Sequence, residues 1–330
     1  MAVIVVNFNT SADTLECLAS LQQQGLGFLT VAVVDNASTE EQRRILRDGI
    51  SKLDLPSELI ENGSNLGFAA AVDVQIRRLL ANSEVMRIFL FNNDAVALPA
   101  LAHWLQDHAA GDLCAARVMK YADPQRVDSL GIVMYRSMLA SNRLSVEEPL
   151  LGPTGGCAVY SRRLLCELQR IYGYTFDHRF FCYAEDTDVA LRAVLLGFEP
   201  DYFDGAVALH KGQASSGGGF SDFVLYHGIR NSIWLLLKSL PGRLLLLSLA
   251  HIALLHLGVV VRHTLRGKFS VVVRLYRDAL SGARTFWRER VLLAQIGDRG
   301  HKALQRCIDP KFYDRGYVRQ AVKGLFNREA

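Results

Sequence analysis

The stretch AVIVVNFNT, residues 2–10, drives five apolar residues into Asn7 and then reaches Asn9 and Thr10. An unbroken apolar run of this length reads as a strand buried on both faces. The design recurs. Leu29–Asp35 is a second apolar run and ends in Asp35-Asn36-Ala37-Ser38. Glu58–Glu61 is a shorter one that leads to Asn65-Leu66-Gly67-Phe68, and Arg87–Phe91 (RIFLF) runs into Asn92-Asn93-Asp94. Helical patterns fill the gaps. Asp13 with Glu16 fits a capping box opening a helix to Gln24, Ser38 with Glu41 caps a second, and Gly67–Leu80 is a third. Such alternation predicts an α/β fold, with a mostly parallel central sheet covered by helices on both faces.

Composition narrows the class. The 330 residues are 50% hydrophobic and 21% charged, as in a folded protein long enough for one large domain and an appendage. Six cysteines lie scattered without a CxxC pair, and the N-terminus enters a strand with no basic leader. Reduced thiols in a cytoplasmic protein are expected. The net charge of +4 conceals an asymmetry: residues 241–330 hold 17 Lys and Arg against 6 Asp and Glu, and residues 1–240 hold 20 against 27. A basic tail after an acidic body points to an anionic partner.

In an open α/β sheet, ligands bind beyond the carboxyl ends of the strands. All four strand endings here are rich in Asn and Asp, and none carries the GxGxxG of a dinucleotide fold. Taken singly these are ordinary turn and cap residues. Four at one sheet edge make a site.

The ordered set VVNFNT, VVDNAS, NLGFA, FNND, TGGC, YAEDTD and a later His resembles the family 2 glycosyltransferases of GT-A fold, especially their bacterial rhamnosyltransferase-like branch. The resemblance covers about residues 1–240. It implies an inverting transferase that moves a sugar, L-rhamnose or another deoxyhexose, from a nucleotide diphosphate donor to a saccharide or lipid-linked acceptor in cell-surface polysaccharide synthesis. By position, it implies that Asn7, Asn9, Thr10 and Asp35 hold the base, with Asp35 accepting from the ring N–H of a pyrimidine. Asn65, Gly67 and Phe68 then border the ribose, while Asn93 and Arg230 serve the nucleotide. Asp94 and His210 fall on the metal positions, for Mg²⁺ or Mn²⁺. Asn92-Asn93-Asp94 replaces the usual Asp-x-Asp, and this favours dTDP-rhamnose ahead of UDP-sugars as donor. Gly155, Gly156 and Cys157 of the TGGC turn flank the transferred sugar and the acceptor. Asp186 is the implied catalytic base, with Glu185 as the reserve, and Asp188 and Arg192 lie four apart on one helical face as a brace.

Two aromatic readings stay open for Phe176, Phe180, Phe181 and Tyr183: a sugar-stacking platform or core packing. Gly212–Gly219 (GQASSGGG) reads as a mobile loop, followed by a helix over Tyr226–Lys238 and a break at Pro241-Gly242. Leu244–Val261 contains no Asp, Glu, Lys or Arg. A helical wheel puts Ser248, His251, Arg262 and Arg266 on one side of this segment and its extension. The pattern predicts a tail, 241–330, lying on an anionic membrane surface, with the enzyme peripheral on the inner face of the cytoplasmic membrane. The competing reading for this segment is a core helix buried against the catalytic domain. For the whole chain it is an inactive nucleotide-sugar-binding or membrane-tethered scaffold, against which the retained Asp94, Asp186 and His210 speak. The tail's cations are interleaved with aliphatic side chains, which excludes a nucleic-acid partner.

Overall fold

The computed structural model describes residues 1–212, 221–295 and 298–314. In chain order, β1 (Ala2–Asn7), α1 (Ser11–Gln22), β2 (Thr30–Asp35), α2 (Glu40–Ile50), β3 (Ser57–Glu61), α3 (Gly67–Leu80) and β4 (Arg87–Phe91) form the alternating half. There follow β5 (Ala95–Ala97), α4 (Ala100–His103), β6 (Leu113–Lys120), β7 (Val127–Ser129), β8 (Ile132–Tyr135), β9 (Ala140–Asn142), β10 (Cys157–Ser161), α5 (Arg162–Tyr172), α6 (Glu185–Leu195) and β11 (Pro200–His210). The chain closes with α7 (Asp222–Ser239), α8 (Gly242–Leu265), α9 (Phe269–Arg288), α10 (Asp298–Arg306) and β12 (Ile308–Asp309). The Gly- and Ser-rich stretch expected to be mobile lies, from residue 213 onward, outside the described residues.

The central sheet has the order β3-β2-β1-β4-β10-β6-β11-β5, with β7 paired to β6. Strand periodicity explains its two cores. Val3, Val5, Val31, Val33, Phe89 and Phe91 face one way, onto Cys17, Leu18 and Leu21 of α1. Their neighbours Ile4, Ala32, Val34, Ile88 and Leu90 face the other way, onto Val72 and Ile76 of α3 and Leu164 of α5. The sheet is less parallel than expected. β10 runs antiparallel between β4 and β6, and β5 and β7 run against their neighbours. A second, three-stranded sheet has the order β12-β8-β9.

Helix starts differ in detail from the sequence reading. α1 begins at Ser11 with Thr10 at the N-cap, so Asp13 sits in the first turn and not at the cap. Thr39 caps α2, accepting from the Gln42 amide. Ser38 is drawn away because its hydroxyl accepts from the Asn9 amide at 2.8 Å, which ties two strand ends together.

The orientation of α8 is set by packing. Ser248 and Arg262 are buried, whereas Leu246, Leu247, Leu249, Leu254, Leu257 and Leu265 are exposed. Ser248 and Arg262 dock on the protein, His251 is half-buried, Arg266 is exposed, and most of the leucines face out. A buried core helix is thereby ruled out. α8 is also long and apolar enough to cross a membrane, at about 36 Å. Yet Leu244, Leu245 and Ile252 pack into a core shared with α6, α7 and α9.

Candidate active site

Topology brings the polar strand endings together. β1 lies between β2 and β4, where the strand order turns back, and this opens a crevice at the carboxyl ends. Because β10 is antiparallel to β4, Cys157 at its start pairs with Phe91 at the end of β4. The TGGC turn therefore faces Asn92-Asn93-Asp94. β11 ends at His210, opposite Ala95 of β5. The result is a cavity of about 500 Å³, whose walls include Phe8, Asn65, Asn93, Asp94, Gly155, Asp186 and His210.

At one end, neutral side chains form a buried lattice. Asn7 is fully buried and donates to Asp35 at 2.7 Å and Ser38 at 3.2 Å, while its carbonyl oxygen accepts from Thr14 and Thr10. Asn93 donates to the hydroxyls of Thr10 and Thr14 at 2.7 and 2.9 Å. Asn9, at φ 56°, accepts from the Thr39 amide. The expectation for Asp35 needs correction. It is fully buried, and its oxygens are taken by Asn7, the Ser38 amide and Arg43, so it braces the loop. Asn7 is likewise a brace and not a wall residue. Asn36 reaches the wall instead, and it donates to Asn65 at 2.9 Å. Gly67, at φ +77°, has a steric reason: a Cβ there would lie 2.5 Å from the Phe181 carbonyl oxygen. Phe68 lines the cavity beside it.

On the floor, Nε2 of His210 lies 3.1 Å from Asp94 and 3.2 Å from the Asn92 amide. Its Nδ1 pairs with Asp128 at 2.8 Å. Burial lowers the His210 pKa, but its hydrogen bonds to Asp128 and Asp94 outweigh this and push it up to about 10. A carboxylate on the second ring nitrogen is what orients a metal-ligating histidine. Asp94 and His210 offer one oxygen and one nitrogen donor, and no group of three or more His, Cys, Asp or Glu placed to hold a metal ion is found among the described residues. Asp128 escaped the sequence reading, because it sits in a three-residue strand 82 residues from His210 with no local motif.

At the opposite wall, Asp186 accepts from the Gly155 amide at 2.9 Å and from the Thr187 amide at 2.6 Å. Desolvation raises its pKa, and these hydrogen bonds oppose the rise. Glu185 is buried, and its Oε2 has no hydrogen-bond partner among the described residues. Desolvation, with help from the Asp186 charge, pushes Glu185 up to about 8. The neighbours are thus unlike: both line the cavity, but Glu185 is buried and held toward its neutral form, while Asp186 is half-buried. Gly156 packs closely on Asn92: a Cβ would lie 2.8 Å from its side-chain amide nitrogen, which would have to shift. Cys157 is 3% exposed, and burial pushes its thiol far up, so it is inert packing at the cavity edge.

Arg230 is the second correction. It is buried away from the wall, with its guanidinium between the rings of Tyr226 and Trp234. It donates to Asn231, Tyr226 and the Phe180 carbonyl. A diphosphate has no access to it. The aromatic cluster divides: Phe176 and Phe180 are fully buried, whereas Phe181 and Tyr183 line the cavity. The Asp188–Arg192 brace is present, at 2.6 Å with both side chains fully buried.

The model of the family described as "Glycosyl transferase family 2" matches residues 2–168 of the 330. The chain belongs to that family. No curated protein matches it by sequence. Among solved structures, residues 1–349 of S. aureus TarS in complex with UDP-GlcNAc align with TM-score 0.53 at 17% identity, over 89% of this chain and 90% of that one. Mannosyltransferase PcManGT from Pyrobaculum calidifontis, in complex with GDP-Man and Mn²⁺, aligns with TM-score 0.52 at 18% identity, over 99% and 87%. At such identities the likeness establishes a shared fold, and the family 2 chain has the GT-A architecture. It spans only 40% of full-length TarS, which aligns over 73% of this chain with TM-score 0.48 at 18% identity.

Proposed function

We propose that this family 2 glycosyltransferase transfers a deoxyhexose, L-rhamnose first, from a dTDP-sugar donor, with UDP-sugars next, to a saccharide or lipid-linked acceptor of a cell-surface polysaccharide, with inversion. The carrying observation is that one cavity faces a carboxylate, Asp186, toward a second acid–histidine pair, Asp94 and His210. TarS and PcManGT, which share the fold, are seen with UDP-GlcNAc and GDP-Man respectively.

The chemistry follows from the positions. Asp94 and His210 would hold an Mg²⁺ or Mn²⁺, which when bound would supply positive charge to the diphosphate. The neutral lattice of Asn7, Thr10, Thr14 and Asn93 keeps the strand-end loops at fixed spacing, so Phe8, Asn36, Asn65 and Phe68 meet the nucleoside as a preformed wall. Asp186 receives the acceptor's hydroxyl proton as the oxygen attacks the anomeric carbon. Its bonds from Gly155 and Thr187 hold the carboxylate in place for that transfer. The diphosphate leaves from the other face, and configuration inverts.

Residues 1–240 carry this chemistry, and residues 241–330 seat the enzyme on the inner face of the cytoplasmic membrane. Support comes from the outward leucines of α8, the exposed Phe269, Val273, Leu280 and Trp287 of α9, and eight Arg and Lys against one acid over 242–288. Apolar insertion flanked by cations suits an anionic leaflet.

Calorimetry with dTDP, UDP and GDP, with and without Mn²⁺, tests the donor. The expected order is dTDP, then UDP, then GDP, with binding weakened by EDTA; tightest binding of GDP overturns it. NMR of the product's anomeric centre tests inversion. Sedimentation with phosphatidylglycerol vesicles at low salt tests the tail, and a protein left in the supernatant rules out the membrane seat.

A further inference from the structure

The strap that enters α6 is bent against its own stereochemistry. Phe181, Tyr183 and Ala184 all have positive φ, at 65°, 71° and 67°, and none is glycine. Phe181, with ψ −63°, forms a tight γ-turn closed by the Cys182 amide on the Phe180 carbonyl at 2.7 Å. This turn is rare and strained, and left-handed non-glycine residues persist only where their surroundings over-determine them. The two residues after the strap are Glu185 and Asp186.

Asn231 of α7 supplies that over-determination. It is fully buried, and its amide nitrogen donates to the carbonyls of Phe180, Cys182 and Tyr183 at 2.9, 2.8 and 2.7 Å. The Phe180 carbonyl also accepts from the Cys182 amide and from Arg230, so the Asn231 amide serves chiefly the carbonyls of Cys182 and Tyr183. Arg230 sets which way the amide faces. Its Nε and Nη2 donate to the Asn231 side-chain oxygen at 3.0 and 2.9 Å, which leaves the nitrogen for the strap. From the other side, the Ala69 amide of α3 donates to the Phe181 carbonyl at 3.1 Å.

We propose that Asn231 is a positioning residue: it holds residues 181–184 in their strained form, so that Asp186 faces the acceptor hydroxyl and Phe181 and Tyr183 wall the acceptor's side of the cavity. The proposal rests on the reading of Asp186 as the base. It gives the Arg230-Asn231 pair a role 45 residues downstream of the carboxylate it serves, without contact to substrate.

The test compares full-length wild type with Asn231→Ala and with Asn231→Ser, which keeps one donor. Hydrogen exchange should accelerate at the amides of 181–186 in both, more in Asn231→Ala, with the sheet unchanged. With dTDP-L-rhamnose as donor and octyl glucoside as acceptor probe, kcat should fall about 10–10³-fold in Asn231→Ala and acceptor KM should rise. The dTDP Kd should stay within twofold, and the acid limb of the kcat–pH profile should move. Unchanged exchange at 181–186, or kcat within twofold of wild type, overturns the proposal. So does a loss shared equally by kcat, dTDP affinity and melting temperature, which would mark a purely structural asparagine. A wild type that binds no nucleoside diphosphate refutes the transferase reading instead, and the exchange data still decide the strap.

Discussion

The two ends of the cavity are built by opposite means. The donor end is a lattice of neutral amides and hydroxyls, in which Asn7, Thr10, Thr14, Ser38 and Asn93 satisfy one another around Asp35. The catalytic end rests on buried charge. Asp177, Asp188, Arg192 and Lys238 are all at most 2% exposed, and Lys238 lies 2.8 Å from both acids. Arg179 extends the set to Glu289, just beyond α9. Neutral dipoles give a preformed wall that leaves the field around an anionic ligand to the proposed cation at Asp94 and His210. Balanced ion pairs hold the α6 helix rigidly while adding no net charge beside Asp186, the proposed base. The lattice tolerates loss better than the ion pairs, because an unpaired buried charge costs more than an unpaired amide.

That contrast can be broken in order of effect. Asp186→Asn should lower kcat about 10²–10⁴-fold with dTDP affinity nearly unchanged, and Glu185→Gln should retain most turnover. Near-wild-type turnover in Asp186→Asn would show that the base lies elsewhere. Lys238→Met leaves Asp177 and Asp188 short of a partner and should cost about 3–5 kcal/mol in urea unfolding. A loss as small as that of a surface pair would remove the charged framework from the account.

The pH dependence of stability separates the two ends further. Glu185 ordinarily titrates at 4.5 and is pushed up to about 8 in the fold. Between these values the folded chain keeps a proton that the unfolded chain has released, so this group makes stability fall as pH rises from about 4.5 to 8 and level off above. The slope should vanish in Glu185→Gln; an unchanged slope would assign it to another group. The smallest effect belongs to the lattice. Asn7→Ala should cost about 1–3 kcal/mol, the desolvation of the partners it abandons, and should weaken dTDP binding before it touches kcat. A fall in kcat at unchanged dTDP affinity would mean that the two ends are not separate.

By itself the sequence determined the four strands of the alternating half and the polar residues that end them, of which Asn65, Gly67, Phe68 and Asn93 line the cavity. Unbroken apolar runs and the residues that end them are local signals, and a strand's end is where a sheet places its ligands. That TGGC, Asp94, Asp186 and His210 share one cavity was legible for the same reason, each lying at an element boundary. Tertiary structure alone decided which boundary residues face inward. Asp35 and Arg230 carry groups suited to a ligand, yet Arg43 occupies the first and the rings of Tyr226 and Trp234 enclose the second. Asp128, Asn231 and Lys238 gain their partners across 48 to 82 residues of chain. The outward turn of α8 was hidden too, since a helical wheel gives the angle between its polar and apolar sides but not which side the protein covers. Periodicity is a property of one segment; burial and partnership belong to pairs of segments, and only packing chooses the pairs.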